Sequence, residues 1–238
     1  ALRHTGFPGF ARCSNLELVA QYNDTPLLPR PRPCDVSDAL SVLAEVKAVI
    51  NVTGRVDLLV NNAGISGPTA PVEAISPEAW QKTLDIGRTG AFNAARAVVP
   101  IMKAQGSGAI VNIASNAGLM GCPNRSPYVA AKWALIGLTK TWAMELGSYN
   151  VRVNALCPAS VEGARIDAVI ARDATARGVS EDAIRSVYER QSSLRAFTRV
   201  EDIAAMVCYL AGDQGIRISG QAIGIDGHTE TLANYLGP

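Results

Sequence analysis

The chain has 238 residues, which is long enough for one domain with a sizeable core and short for two. Hydrophobic residues make up 48% of it, glycine is frequent and aromatics are only 5%, a balance that suits helices packed closely on a sheet. The formal net charge is +1 with acids and bases mixed along the chain, which argues against a nucleic-acid partner.

No apolar run approaches the length that spans a bilayer, and the first six residues carry no apolar signal-peptide core. The five cysteines (Cys13, Cys34, Cys122, Cys157, Cys208) are scattered, with no CxxC pair, and there are two histidines. A zinc site is therefore not expected, and reduced thiols in a cytoplasmic protein are.

Residues 1–33 differ from the rest. Pro26, Pro29, Pro31 and Pro33 crowd together, which rules out a helix interior or a central strand there. Leu16, Leu18, Ala20 and Tyr22 alternate as one face of a short strand would. From Asp35 the pattern becomes regular. Ser37 is expected to cap a helix running to about Val52, with Leu40, Val42, Leu43, Val46 and Ile50 as its apolar face, ended by Thr53-Gly54. Residues 56–60 read as a buried parallel strand. A long helix is predicted from Ser76-Pro77 to about Lys103, interrupted by Gly87 and Gly90. Residues 109–113 are the next strand, 126–146 a helix and 151–156 a strand stopped by Pro158. A charged helical excursion covers 160–195. Thr198 and Glu201 form a capping box for a helix ending near Leu210, and 223–225 is a last strand.

This alternation predicts a single α/β domain with a doubly wound parallel sheet. Ligands in such folds bind beyond the carboxyl ends of the strands, here just after Val60, Ile113 and Leu156.

Three signals fall at or near those places. Asn61-Asn62-Ala63-Gly64 follows the first strand, where Gly64 permits a sharp turn and the small Ala63 leaves room for a flat ligand. Ser115 follows the second. Tyr128 and Lys132 then stand four apart on one helix face. A lysine ammonium near a phenol favours the phenolate, which makes Tyr128 a usable general acid or base near neutral pH. Ser115 can hydrogen-bond the same substrate oxygen, and the three together would stabilise charge developing there.

With these residues in this order, the chain resembles the classical short-chain dehydrogenase/reductases from Asp35 to about Gly227, a Rossmann-like fold. Asp35-Val36, Asn154 and Pro158 also match. The resemblance implies an NAD- or NADP-dependent oxidoreductase acting on a small carbonyl or alcohol substrate. It assigns Tyr128 as acid/base, Ser115 as substrate-orienting and Lys132 as also holding the nicotinamide ribose. Asp35 and Val36 would meet the adenine, Asn62, Ala63 and Gly64 the middle of the cofactor, and Val161 the carboxamide, with Pro158 shaping the nicotinamide pocket. It further implies a homotetramer through the helices near 77–103 and 126–146, and a substrate lid at 160–195.

The chain also departs from the family. The nearest match to the phosphate-binding TGxxxGxG loop is Thr5-Gly6-Phe7-Pro8-Gly9-Phe10-Ala11, which is one residue short and carries a proline. No role is assigned to Gly6 or Gly9, and residues 1–33 are read as an altered or truncated start of the dinucleotide-binding fold. The residue that selects NAD or NADP falls in this stretch. Gly87 occupies the position of a usual asparagine, keeping its carbonyl but losing the side chain. Ala159 and Gly163 replace a usual glycine and threonine. Leu119, Met120, Cys122 and Asn124 are expected to face the substrate, and the arginines of the lid are read as a solvated helix face. An alternative function, a non-catalytic binding or assembly subunit with impaired cofactor binding, draws on the altered loop and Gly87. The set Ser115, Tyr128 and Lys132 opposes it.

Overall fold

The computed structural model describes residues 33–232; the strand expected at 16–22 and the loop at 5–11 lie outside them. Among the described residues a wholly parallel four-stranded sheet runs in the order β1 (Leu58–Asn61), β2 (Gly108–Ile113), β3 (Val151–Pro158), β4 (Ala222–Ile225). Helices make every crossover, as parallel pairing requires. Helix α1 (Ala39–Thr53) precedes β1. Helices α2 (Pro77–Leu84) and α3 (Gly90–Gln105) lead to β2, α4 (Ser126–Leu146) leads to β3, and α5 (Ala164–Arg177), α6 (Glu181–Glu189) and α7 (Val200–Ala211) lead to β4.

Successive residues of β3 serve opposite faces and both faces are covered, so its residues are apolar or, as with Arg152 and Asn154, bonded to the backbone of Gly215 and Ile218. Val151 and Val153 join Ile110, Val98, Met102 and α1 in one core, while Ala155 and Cys157 pack on Leu135 and Ile136 of α4. Leu156 belongs to the other face, with Leu58, Val111 and Leu210 of α7. Burying each such leucine or isoleucine contributes about 1.5–3 kcal/mol. Helices thus cover both faces of one domain, as the alternation predicts.

Local expectations shift in four places. Asp38, not Ser37, caps α1: its carboxylate accepts from Leu40 N at 2.9 Å, while the Ser37 hydroxyl donates to Asp35 at 2.6 Å. The buried face of α1 is Val42, Val46 and Val49, whereas Leu40 and Leu43 are 75% and 39% exposed. At roughly 100° per residue, Leu43 lies about 100° and Leu40 about 160° around the helix from Val42. Strand β1 begins at Leu58 because the Gln105 side-chain amide, not a ladder partner, pairs both backbone groups of Val56 at 2.8 Å. The capping box of α7 is Arg199 with Asp202; Thr198 instead donates its hydroxyl to Ile225 O at 2.7 Å.

The predicted interruption between α2 and α3 is a π-helical turn, Asp85–Thr89, with Gly87 buried inside it. The excursion at 160–195 becomes α5 and α6 with a small core of their own, Ile166, Ile170, Ala174 and Ile184.

Candidate active site

A buried asparagine sets the floor of the site. Asn112 is fully buried in β2; its carbonyl oxygen accepts from Asn61 Nδ2 and its amide donates to Thr139 Oγ1, both at 2.8 Å. Thr139 in turn donates to Leu135 O in α4. A buried polar chain of this kind is stabilising only when every member is paired, and here the pairs lock the end of β1 and the middle of α4 to β2. The segment Asn62-Ala63-Gly64 therefore leaves the sheet from a fixed point. A side chain placed at Gly64 would stand 3.7 Å from Lys132 Nζ, so this loop passes directly over the lysine.

Lys132 is 6% exposed and donates to Ile113 O, at the carboxyl end of β2, at 2.7 Å. That bond uses one of its three donors. Its Nζ lies 5.6 Å from the centre of the Tyr128 ring, one helical turn earlier. Ser115, just beyond β2, accepts from Ala117 N at 3.2 Å, donates to Asn116 at 3.0 Å and lies near enough to Tyr128 to help lower its pKa. The turn after it approaches α4 so closely that a Cβ at Gly118 would lie 2.9 Å from Lys132 O. Only glycine fits there without moving the helix that carries Tyr128 and Lys132.

The electrostatics follow from this packing. Burial raises the Tyr128 pKa, but Lys132, Ser115, Arg165 and Arg125 together outweigh it, so the phenol sits below its ordinary value. Burial lowers the Lys132 pKa, with Arg165 adding to the effect and Tyr128 opposing it. Cys157 lies fully buried in the same layer and burial pushes its thiol up to about 11, so it stays protonated at neutral pH.

Ser115, Tyr128, Lys132 and Gly64 thus converge, as their positions in the sequence predict. Pro158 is buried at the last position of β3, and Val161 pairs with Thr198 in an isolated bridge just beyond it. Asp35 and Val36 form a separate turn, tied to α3 by Asn93, whose amide donates to Val36 O at 3.0 Å. Gly90 makes room for the Val36 side chain, and Ala91 packs on Ala114 beside Ser115, which brings this turn to the same edge of the sheet. Of the residues expected to face substrate, Met120 and Cys122 line an open hollow opposite Glu230 and Leu232. Asn124 is instead a turn residue with φ 61°, and its carbonyl accepts from Ala70 N.

Sequence reading missed Asn112, Thr139, Arg125 and the pair of Asn116 with Thr229, whose side chains bond at 3.0 Å. Asn112 carried a usable signal, since an amide inside an apolar strand must find partners. Arg125 carried none. Its guanidinium stands over the Tyr128 ring, 5.0 Å from the centre. Among the described residues no group of His, Cys, Asp or Glu side chains could hold a metal ion.

A family model described as enoyl-(acyl carrier protein) reductase matches residues 14–228. The chain belongs to the short-chain dehydrogenase/reductase family. It is 34% identical over 210 residues to a 3-oxoacyl-[acyl-carrier-protein] reductase of Thermotoga maritima, covering 88% of this chain and 80% of the relative. It is 40% identical over 202 residues to a trans-4-hydroxycyclohexanecarboxylate dehydrogenase of Sinomonas cyclohexanicum, covering 85% and 71%. Among solved structures, NAD+-bound xylitol dehydrogenase superposes with a TM-score of 0.78 at 32% identity, covering 82% of this chain and 77% of that one. An actinorhodin polyketide ketoreductase with NADPH superposes with a TM-score of 0.79 at 32% identity, covering 86% and 78%. The chain is therefore an oxidoreductase of this family acting on CH–OH or C=O groups, and its relatives bind NAD or NADP.

Proposed function

We propose that the protein uses NAD or NADP to interconvert a secondary alcohol and a carbonyl compound, with Tyr128 as general acid/base, Ser115 orienting the substrate oxygen and Lys132 depressing the Tyr128 pKa. The observation that carries this reading is the convergence of the three side chains at the carboxyl end of β2, with a phenol held below its ordinary pKa.

The residues present suit a nicotinamide cofactor. Lys132 spends one donor on Ile113 O and has two left for vicinal ribose hydroxyls, under a loop that Gly64 keeps free of side chain. Asn62, Ala63 and Gly64 would border the cofactor's middle, Pro158 and Val161 its nicotinamide end, and Asp35 and Val36 the adenine end. The nicotinamide supplies or accepts the hydride when bound. In reduction, Ser115 holds the substrate oxygen and the Tyr128 hydroxyl gives it a proton as the electron pair of the C=O bond moves onto oxygen. In oxidation the phenolate takes that proton back.

The same reading takes residues 1–33 as an altered start of the dinucleotide-binding fold and 34–238 as the catalytic domain, with α5 and α6 as the lid. It includes a homotetramer through α3 and α4, where Phe92, Trp133 and Met144 are exposed and offer apolar contact surface. A cytoplasmic location is consistent with free cysteines at 34, 122, 157 and 208 and with the lack, among the described residues, of a helix long and apolar enough to cross a membrane.

Titration of the protein with NADH and with NADPH, followed by nicotinamide fluorescence, tests the proposal. Micromolar binding of one of them is expected. If a folded protein bound neither, the non-catalytic reading would replace this one.

A further inference from the structure

Arg125 stands immediately before α4, where Asn124 turns the chain through the left-handed region (φ 61°). Its guanidinium returns over the Tyr128 ring at 5.0 Å, and one amino group donates to Ser66 O at 3.1 Å. Its Nε is buried and has no hydrogen-bond partner among the described residues, and no described carboxylate pairs with it. A buried donor on a charged group left without an acceptor is costly, and a ligand acceptor that drew the guanidinium toward itself would offset that cost. Arg165, in the first turn of α5, likewise has no ion pair among the described residues, and its charge reaches Tyr128 from the lid side. Among the described residues, the charged groups that act on Tyr128 are Lys132, Arg165 and Arg125, all positive.

We propose that Arg125 is a specificity residue that binds a carboxylate carried by the substrate close to its reacting carbon, with Arg165 adding attraction from the lid. The proposal rests on the oxidoreductase reading above. A substrate whose oxygen meets the Tyr128 hydroxyl has its neighbouring substituents beside the guanidinium, whose planar fork matches a carboxylate with two parallel hydrogen bonds. The preferred substrates are then keto acids and hydroxy acids rather than neutral ketones and alcohols. The plain alternative is that Arg125 only stacks on Tyr128.

Matched pairs separate the two. Linear and cyclic keto acids and their methyl esters are compared by kcat/KM, with whichever of NADH and NADPH the full chain binds. The acids should exceed their esters tenfold or more. Arg125→Gln should bring the ratio close to one, chiefly through the KM of the acids, and Arg125→Lys should restore part of it. Because the ratio is read within each variant, a general loss from a disturbed Tyr128 cancels. Esters used as well as acids by the unaltered protein, or a ratio kept by Arg125→Gln, would overturn the proposal while coenzyme binding left the oxidoreductase reading in place. A protein that bound neither coenzyme would remove both.

Discussion

The carboxyl edge of the sheet and the lid are built on opposite principles. At the sheet edge the polar groups are buried and paired: Asn61, Asn112, Thr139, Lys132 and Asn154 each hold a backbone or side-chain partner between 2.7 and 2.8 Å. In α5 and α6 the polar groups are charged and pair with one another, Arg185–Asp167 open to water and Arg177–Asp173 more covered, and only a small separate core lies beneath them. On the proposed reading, the difference divides the tasks. Proton transfer needs donors and acceptors held to within a fraction of an ångström, which a satisfied buried network can do. Substrate selection can be delegated to an appendage with its own core, whose side chains can vary without disturbing the sheet.

Breaking the chemistry at the sheet edge should give the largest effect. Tyr128→Phe removes the proposed acid/base but no core contact, so kcat should fall by about 10²–10⁴ while coenzyme affinity and Tm stay near those of the unaltered protein. Lys132→Met should cost about 10² in rate and should also move the pH profile. Tyr128 titrates below its usual 10 in part because of Lys132, so alcohol oxidation, which needs the phenolate, rises with pH through a midpoint under that value. Without the ammonium the midpoint shifts upward, and an unmoved profile would show that another group titrates.

The next tests act on stability and ask whether the two regions are energetically separate. Asn112→Val leaves the buried Asn61 amide without its acceptor and costs Thr139 the bond it accepts, though Thr139 still donates to Leu135 O, at a cost of about 1–3 kcal/mol, or roughly 2–12 °C in Tm for a chain of this size. Ile184→Ala opens a cavity in the lid core, where Ile184 is fully buried. In a single cooperative core it would lower the global Tm by an amount matching about 2–4 kcal/mol. If the lid opens independently, the loss shows instead as faster amide exchange confined to α5 and α6 and as a higher KM.

The same division explains what could be read from the sequence. The strands were legible because both faces of the sheet are covered, so 109–113 and 151–156 are mostly apolar, with Asn112, Arg152 and Asn154 the exceptions. Ser115, Tyr128 and Lys132 were legible because the order of elements brings residues after β2 and on α4 to one edge. Tertiary bonds misled the reading elsewhere. Gln105 pairs with Val56 and displaces the start of β1, and Thr198 leaves its capping role for Ile225. Leu40 and Leu43 were counted on a buried face because their hydrophobicity outweighed their angle on the helix. Arg125 looked like any loop arginine, since nothing local shows that Asn124 folds it back over Tyr128.

The smallest expected effect is the sharpest comment on the lid's surface. Arg185 and Asp167 join α6 to α5, with side chains 39% and 52% exposed, and Arg185 also lies 5.2 Å from the Phe197 ring. A pair that open to water is screened by salt and loses side-chain entropy on forming, so Asp167→Asn should change stability by under about 1 kcal/mol, and by less still at 1 M salt. Arg185→Ala should cost somewhat more, because it also removes the contact with Phe197, and that excess should persist in salt. Equal costs for the two variants, vanishing together as salt rises, would show that the ion pair alone joins the two lid helices at this point and that the aromatic contact adds nothing.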